Sequence, residues 1–382
     1  MAGGGSGGHI TPLLSLAREL KRQDPTGRII YIGPKGDKTE TLSSRYGVFD
    51  EVRYIPAGKF RRYHGQGILS HLTDIKSLVL NIRDFFKVIA GIFSAYRILR
   101  KFKPDVLFSK GSFVAVPVGV AARLSKTPIV THDSDVVPGL ANRIVGRWAT
   151  FHATGQPAEL YAYPKAKTVF TGIPVDERLS AISERQKQDL KKQIGLPARA
   201  ELLLIAGGSL GAASINDKFV KIMPRLLANY PNLHVIHIAG AAHQAKVKDQ
   251  YELDPADAAR LTVLGFSNDY YKYAKAADLI VSRGGATALA EFALLAKAVL
   301  LIPAEHLSGG HQLANARRMA KAEAIAVLAD RADPDDLYQL VGQLLDDPNI
   351  RKILAANLAK SAEPQAAFKL ARVILDATKA SK

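Results

Sequence analysis

Three glycine-rich segments contain the backbone best suited to bind phosphate. The first, residues 3–8, reads Gly-Gly-Gly-Ser-Gly-Gly and is followed by His9. The others, residues 207–211 (Gly-Gly-Ser-Leu-Gly) and 282–286 (Ser-Arg-Gly-Gly-Ala), each separate an apolar run from a helical pattern. Glycine lets the backbone approach an anion closely, and a following helix points its first amides at that anion. All three segments therefore predict binding of phosphate or diphosphate groups.

The first segment also matches the G-x-G-x-x-G pattern of dinucleotide-binding proteins. That function needs an acidic residue at the end of the next strand, which binds the ribose hydroxyls. The next predicted strand, residues 29–32, ends in Gly33-Pro34-Lys35 and has no carboxylate. The pattern therefore does not favour a dinucleotide, although the loop keeps its ability to bind an anion.

Glu291 is a candidate ligand for a ribose. It follows Thr287 by one helical turn, so both side chains share a face of the predicted helix. A carboxylate at this place can accept hydrogen bonds from both ribose hydroxyls. The alternative is a solvated helix residue, but the neighbouring residues are mostly apolar. A further polar segment, residues 303–312, ends in His311-Gln312 before a helix with Asn315, and its groups suit the hydroxyls of a hexose.

Short apolar runs alternate with longer amphipathic segments along the chain, which predicts parallel sheets covered by helices. The predicted strands are residues 29–32, 105–108, 128–131, 202–206, 234–239, 261–264, 279–281 and 299–302. Predicted helices include residues 11–23, 215–228 and 313–322.

The length of 382 residues favours two domains. We expect an α/β protein with two Rossmann-like domains facing each other across a cleft, over residues 1–168 and 169–363. Residues 170–175 read as a linker, and a helix in residues 364–382 is expected to cross back to the first domain. Only Met1 and Ala2 precede the first glycine loop, where such a sheet normally has a strand. The first sheet is therefore expected to lack a central strand, through a misplaced start or a truncation.

The net charge of +17 predicts attraction to phosphate-rich partners. Nucleic acid is not expected, because the chain has no Arg-rich arm, zinc finger or aromatic RNA-binding motif. The lack of cysteine excludes disulfides and thiol nucleophiles and fits a reducing compartment. No signal peptide is visible, and no apolar run reaches the roughly 20 residues that span a bilayer. A cytoplasmic protein with peripheral membrane contact is expected.

Together and in this order, the motifs resemble the MurG family of glycosyltransferases over nearly the whole chain. The resemblance also includes residues 109–114, 132–135, 138–142 and 311–315. It implies a GT-B fold and an inverting transfer of N-acetylglucosamine from UDP-GlcNAc to the muramoyl 4-hydroxyl of lipid I, which forms lipid II in peptidoglycan synthesis. It implies neither a cofactor nor a metal. Two residues depart from the family pattern: Ser112 stands where a glycine is usual, and Asp176 where an arginine is usual.

The resemblance also implies the binding residues. Glu291 would bind the ribose, Ser209 and neighbouring amides the phosphates, and Gln312 the sugar hydroxyls. The full donor set is Gly208, Ser209, Leu210, Gly211, Arg283, Gly285, Ala286, Thr287, Glu291, His311, Gln312 and Asn315. The acceptor set is Ser6, Gly7, Gly8, His9, Lys110, Gly111, Ser112, Phe113 and Asn142. His9 and then Asp135 are candidates for the catalytic base, while diphosphate binding by His9 is an equal alternative.

Three other functions remain open. They are a related GT-B glycosyltransferase with another polyprenyl or lipid acceptor, a UDP-sugar epimerase, and a sugar-nucleotide-binding protein without turnover. Asp133-Ser134-Asp135 also matches the D-x-D motif of metal-dependent glycosyltransferases of another fold, but that motif belongs to a single-domain context.

Residues 78–102 predict an amphipathic helix with an unusually wide apolar stripe. Most of the stripe is expected to face the first sheet, whereas Phe86 and Phe93 widen it toward the solvent. Cations flank it at Arg83, Lys87, Arg97, Arg100, Lys101 and Lys103. This pattern favours contact with an anionic membrane, here the cytoplasmic face of the cell membrane. Other proteins of cell-wall synthesis are further expected partners.

Overall fold

The computed structural model describes residues 1–4, 7–36, 47–59, 75–208, 210–305 and 310–379, with only the backbone for residues 7 and 75–78. Two predicted site residues, Ser6 and Ser209, lie outside this part of the chain. The described residues form two compact units. The first comprises those of Met1–Asp176, His306–His311 and Glu363–Lys382, and the second comprises Glu177–Glu305 and Gln312–Ala362.

Helices and strands alternate through both units. Up to residue 176 the elements are α1 (Gly7–Gln23), β1 (Ile30–Pro34), β2 (Glu51–Ile55), α2 (Ile75–Phe102), β3 (Leu107–Ser109), α3 (Ala115–Leu124), β4 (Ile129–Asp133), α4 (Leu140–Val145), β5 (Phe151–Thr154) and β6 (Thr168–Phe170). The elements that follow are α5 (Glu184–Gln193), β7 (Glu201–Ala206), α6 (Ala213–Asn229), β8 (Leu233–Ile238), α7 (Gln244–Gln250), α8 (Pro255–Ala258), β9 (Leu261–Leu264), α9 (Tyr270–Ala276), β10 (Leu279–Ser282), α10 (Ala286–Leu294), β11 (Val299–Leu301), α11 (His311–Lys321), β12 (Ala326–Val327), α12 (Pro334–Asp346), α13 (Pro348–Ala359) and α14 (Ala366–Lys379). In the described part of the chain, no helix combines the length and apolarity needed to cross a bilayer.

Ala2 occupies the centre of the first sheet. β1 pairs with β2, and β3 to β6 lie in chain order, all parallel. Ala2 bridges Ile32 of β1 and Ser109 of β3. Its amide donates to the Phe108 carbonyl at 2.8 Å, and its carbonyl accepts from the Lys110 amide at 3.0 Å. At the place of the central strand that was expected to be missing, residues 1–2 therefore form a bridge that is hydrogen-bonded to both neighbours but is not a full strand.

The core of the first unit joins its first and last helices. α1 buries Ile10, Leu13 and Ala17, which share one face at helical spacing. α14 buries Leu370 and Ile374 in the same cluster. α1 begins at Gly7, earlier than the predicted start at residue 11. As a result, the segment after residue 6 is helical rather than a loop.

The second sheet has the order β12-β11-β10-β7-β8-β9, and all its strands are parallel. β7 and β10 lie at the centre of the sheet. From β7 the chain continues through β8 to β9 at one edge, and from β10 through β11 to β12 at the other edge. The strand order therefore reverses between β7 and β10. In open parallel sheets, ligands bind beyond the carboxyl ends of the strands at such a point.

The predicted strands agree with the observed ones to within two residues at each end. β2, β5, β6 and β12 were not predicted, because segments this short show no clear periodicity. β6 includes Phe170, so the predicted linker begins one residue too early.

Candidate active site

The β7–α6 loop requires its glycines. A Cβ on Gly207 would lie 2.5 Å from the Ala212 Cβ, and Gly208 has φ +98°. Gly211 has φ +77°, and a Cβ there would lie 2.0 Å from the Ala239 carbonyl oxygen. Ala212 precedes α6 and has no side-chain acceptor for the first amides of the helix. These amides are therefore suited to bind a ligand anion. Leu210, in the same loop, is exposed.

The β10–α10 loop is fixed by a network around Arg283. Its Nη1 contacts the Asp330 carboxylate and the Ile302 carbonyl, both at 2.8 Å, and its Nη2 donates to Ser214 Oγ at 2.6 Å. Ser214 in turn donates to Asp330 at 2.6 Å. The guanidinium charge is thus balanced inside the protein. The structure shows that Arg283 supports the loop, and its binding to the donor stays a prediction.

The start of α11 packs closely on the same loop. A Cβ on Gly284 would lie 2.7 Å from the Gln312 carbonyl oxygen, and Asn315 Nδ2 donates to the Gly284 carbonyl at 2.9 Å. Gln312 Oε1 accepts from the Ala304 amide at 2.9 Å. His311 Nδ1 is buried and has no hydrogen-bond partner among the described residues. Gln312 and Asn315 are therefore adjacent to the predicted phosphate loop.

Glu291 lies one turn inside α10, after Gly285 at the N-cap, buried Ala286 and half-buried Thr287. Burial, followed by the Glu291 charge, raises the pKa of Tyr270 well above its usual value. Tyr270 was not identified from the sequence, because nothing in the spacing of the two residues signals that the Glu291 charge acts on it.

The first glycine loop approaches the second loop of the first unit closely. A Cβ on Gly3 would lie 2.7 Å from Leu13 Cδ1 and 3.4 Å from Lys110 Cβ. The Gly3 carbonyl accepts a hydrogen bond from the Tyr31 hydroxyl at 2.8 Å. Because α1 begins at Gly7, exposed Gly8 and half-buried His9 lie in its first turn. The structure thus places His9 at a helix N-terminus, not at the end of a loop.

Lys110 is a buried cation beside this loop. Its side chain is 5% exposed, and its Nζ donates to Ser134 Oγ at 2.6 Å. Burial lowers the pKa of Lys110 to about 8, although the charges of Asp135 and Asp133 act in the opposite direction. The half-buried Asp135 follows Ser134, and its carbonyl accepts from the Tyr161 hydroxyl at 2.9 Å. The structure therefore brings Lys110 and Asp135 together.

Asp133 connects the predicted acceptor residues, although it was not among them. Its carboxylate accepts from the Tyr163 hydroxyl at 2.8 Å, from Asn142 Nδ2 at 3.1 Å and from the Gly139 amide at 3.2 Å. Asn142 Oδ1 accepts from Ser109 Oγ at 3.1 Å. Burial raises the pKa of Asp133, while these donors oppose the shift. The side chain of Asn142 is thus engaged within the unit, and acceptor binding by it stays a prediction.

Ser112 is strained in the second loop. Gly111 has φ +89° and Ser112 has φ +72°, a left-handed conformation that favours glycine. Ser112 Oγ is buried and has no hydrogen-bond partner in the described part of the chain. This geometry explains why a glycine is expected at position 112. Half-buried Phe113 follows.

Ser112→Gly is expected to stabilise the protein by about 1 kcal/mol. The substitution removes the left-handed strain and a buried hydroxyl that has no partner among the described residues. The greater flexibility of the unfolded chain offsets part of this gain. Ser125→Gly is the matched control, because Ser125 Oγ donates to the Ala121 carbonyl at 2.7 Å. This control should be destabilised. Urea unfolding measures both variants, and a less stable Ser112→Gly would contradict the strain argument.

Comparison with known proteins places these loops in a family. The models of the glycosyltransferase family 28 N-terminal and C-terminal domains match residues 1–154 and 202–370. A UDP-N-acetylglucosamine–N-acetylmuramyl-(pentapeptide) pyrophosphoryl-undecaprenol N-acetylglucosamine transferase of Symbiobacterium thermophilum is 31% identical over 384 residues, covering 100% of this chain and 96% of that protein. The chain belongs to the MurG transferases of glycosyltransferase family 28. The family predicted from the motifs is confirmed.

Solved structures agree with the GT-B fold of the MurG family. MurG of Acinetobacter baumannii has a TM-score of 0.72 and 24% identity, with 98% of each chain covered. A UDP-GlcNAc 2-epimerase of Neisseria meningitidis has a TM-score of 0.69 and 14% identity, also with 98% of each chain covered. Since the epimerase shares the fold, the fold alone does not separate transfer from epimerisation. Membership of the MurG family makes the protein a glycosyltransferase.

Proposed function

We propose that this MurG-family protein transfers N-acetylglucosamine from UDP-GlcNAc to lipid I and forms lipid II. The observation that carries the proposal is a glycine-rich loop, followed by a helix, at the strand-order reversal of the second sheet. It occurs in a chain that belongs to the MurG transferases. We assign donor binding to residues 169–363 and acceptor binding to residues 1–168, with residues 364–382 completing the first domain.

The donor site uses helix N-termini to stabilise the leaving group. UDP departs with increasing negative charge, which the first amides of α6 and α10 would stabilise. Glu291 would accept hydrogen bonds from the ribose hydroxyls, and Gln312 and His311 would contact the sugar. His311 Nδ1 supports this role, because it is buried without a partner among the described residues, and such an atom favours a ligand that provides one.

In the reaction, the acceptor oxygen bonds to the anomeric carbon while the bond from that carbon to the UDP oxygen breaks, with inversion. The proton of the attacking hydroxyl passes to a base, for which His9 and Asp135 are the two candidates. His9 at the N-terminus of α1 also suits the acceptor diphosphate as a hydrogen-bond donor. A His9→Ala variant with unchanged turnover would exclude both roles of His9.

The transfer assay tests this function directly. Purified protein is incubated with radiolabelled UDP-GlcNAc, with and without lipid I, and with a panel of other UDP-sugars. Labelled lipid II that forms only with lipid I supports the proposal. Transfer to a different polyprenyl acceptor, conversion of the free sugar nucleotide, or binding without reaction would each replace it with one of the other functions.

We further propose that α2 holds the protein at the cytoplasmic face of the membrane. Four apolar side chains on one face of α2 are at least half exposed: Val79 (58%), Ile82 (52%), Phe86 (64%) and Phe93 (64%). The opposite face packs into the first unit through Ala95 and Leu99. The exposed cations Arg83, Lys87, Arg97 and Arg100 accompany the apolar face. An apolar stripe with cations beside it suits an anionic lipid surface.

Replacing Phe86 and Phe93 together by serine is expected to weaken binding to vesicles that contain phosphatidylglycerol by at least about tenfold, because two exposed rings no longer enter the interface. Vesicle co-sedimentation measures the effect, with neutral vesicles as the lipid control. Phe368→Ser is the protein control, since Phe368 is a 46% exposed phenylalanine on α14. Equal binding of the double variant and the Phe368 variant would contradict the assignment.

A further inference from the structure

A histidine lies inside the apolar core of the second unit. His237 is the fifth residue of β8 and is fully buried, with its ring edge-on to the Phe219 ring of α6 at 6.2 Å between centroids. Its Nδ1 lies 2.6 Å from the Tyr251 hydroxyl, and its Nε2 lies 3.0 Å from Asn216 Oδ1. An apolar side chain would fill this place without the cost of removing polar groups from water. Packing alone therefore does not account for a histidine here.

The Ala239 carbonyl sets the direction of the hydrogen bonds in this network. Asn216 Nδ2 donates to that carbonyl at 3.0 Å. Because a carbonyl only accepts, the reversed amide would bring two acceptors together, so Asn216 Oδ1 must face His237. His237 Nε2 therefore carries the proton that Oδ1 accepts, and Nδ1 accepts from the Tyr251 hydroxyl. Burial lowers the pKa of His237 to about 4, which keeps the ring neutral, as this arrangement requires.

The network ends at the backbone against which the predicted phosphate loop is packed. Asn216 is the fourth residue of α6, and its own amide closes the first turn by donating to the Ala212 carbonyl at 2.9 Å. Its side chain binds the Ala239 carbonyl, the group that leaves no room for a Cβ on Gly211. Asn216 is 2% exposed, so water does not compete for these hydrogen bonds. The side chain thus joins the first turn of α6 to the end of β8.

We propose that His237 is a positioning residue that holds the Asn216 amide against the Ala239 carbonyl and so fixes the β7–α6 loop for the donor diphosphate. Amides that bind a ligand must be held within about 1 Å of the productive geometry, which requires a supporting layer of hydrogen bonds. This inference rests on the proposed binding of a UDP-sugar with its phosphates at the start of α6. His237 acts through Asn216 and is not assigned a contact with the ligand.

The test compares UDP with uridine, which lacks the diphosphate, on the full-length protein. Isothermal titration calorimetry measures UDP binding, and a ligand-detected NMR titration measures the weaker uridine. His237→Leu removes the donor to Asn216 and is expected to weaken UDP binding by about tenfold, while uridine binding changes less than about twofold. Asn216→Leu should show the same selectivity. The double variant should bind UDP no more weakly than the weaker single variant, since the two residues act as one unit.

Two further variants separate positioning from a general loss of packing. His237→Gln keeps a donor for Asn216 and an acceptor for the Tyr251 hydroxyl, so it should retain UDP affinity to within about twofold. Phe219→Leu is the matched control, because Phe219 is buried in the same cluster and its side chain makes no hydrogen bond. It should lower the urea midpoint of unfolding and leave UDP affinity unchanged. Unfolding curves confirm that every variant is folded under the binding conditions.

The possible failures are distinguishable. If the unaltered protein binds UDP no more tightly than uridine, the phosphate assignment of the proposed function is wrong, and the role of His237 is overturned with it. If UDP binds more tightly but His237→Leu leaves its affinity unchanged, or weakens UDP and uridine equally, only the role of His237 is overturned. A His237→Gln variant as weak as His237→Leu, or an equal loss in Phe219→Leu, would overturn it too, since hydrogen bonding would then not be the cause.

Discussion

Replacing Gly211 by alanine is expected to reduce UDP affinity by at least about a hundredfold. The new Cβ would lie 2.0 Å from the Ala239 carbonyl oxygen and 2.9 Å from Gly240 Cα, both of which are backbone atoms. A side-chain rotation cannot relieve a contact with backbone, so the loop itself must move. That loop leads into α6, whose first amides are assigned to the donor phosphates. A displacement of about 1 Å is enough to disrupt such positioning.

The Gly211→Ala substitution has two unfavourable contributions to the free energy, and a control variant separates them. One is the left-handed backbone, about 1–2 kcal/mol for a residue other than glycine, and the other is the steric clash. Gly195 has φ +83°, and a Cβ there meets nothing within 4 Å. Gly195→Ala should therefore lose about 1 kcal/mol of stability and keep its UDP affinity. Calorimetry and urea unfolding measure both variants, and unchanged UDP binding by Gly211→Ala would refute the phosphate assignment.

Lys110→Met is expected to stabilise the protein while it lowers acceptor turnover. The pKa of Lys110 is about 8 in the folded protein, against 10.5 for the ordinary side chain. Below about pH 8 the buried charge costs about 3 kcal/mol of folding free energy, because the unfolded chain holds the proton more tightly. Between about pH 8 and 10.5 the unfolded state binds more protons, so the stability contributed by this group rises with pH.

The stability gain of Lys110→Met should therefore be about 2 kcal/mol near neutral pH and much smaller at about pH 10. Turnover should fall because Lys110 positions Ser134 and balances the charge of Asp135 beside the first glycine loop. For the unaltered protein, kcat/KM for the acceptor should decline as the pH rises through about 8, since the ammonium is lost. This decline should be absent in Lys110→Met.

Lys297 provides the control for Lys110. Burial also lowers its pKa to about 8, but its ammonium donates to two backbone carbonyls. Lys297→Met leaves these carbonyls without their donor and should destabilise the protein without changing the pH profile for the acceptor. Urea unfolding at the two pH values and acceptor kinetics measure the contrast. A destabilised Lys110→Met with unaltered acceptor kinetics would contradict a functional role for this charge.

The sequence alone determined the features that depend on neighbours along the chain. The loops after β7 and β10 were predicted, because strand, glycines and helix follow one another directly. Glu291 was predicted to be a ribose ligand for the same reason, because it is a carboxylate one helical turn after a glycine loop. The amphipathic pattern of α2 likewise predicted exposed outer aromatic residues, and Phe86 and Phe93 are both 64% exposed.

Only the tertiary structure decided the features that depend on crossovers between parallel strands. Tyr270 and Glu291 lie on helices that precede and follow β10, and no local pattern encodes the effect of the Glu291 charge on the pKa of Tyr270. The burial of Lys110 against Ser134 and the role of Ala2 between β1 and β3 have the same origin. A parallel strand pair joins segments that are distant in sequence, whereas glycine loops and helix faces are set within a few residues.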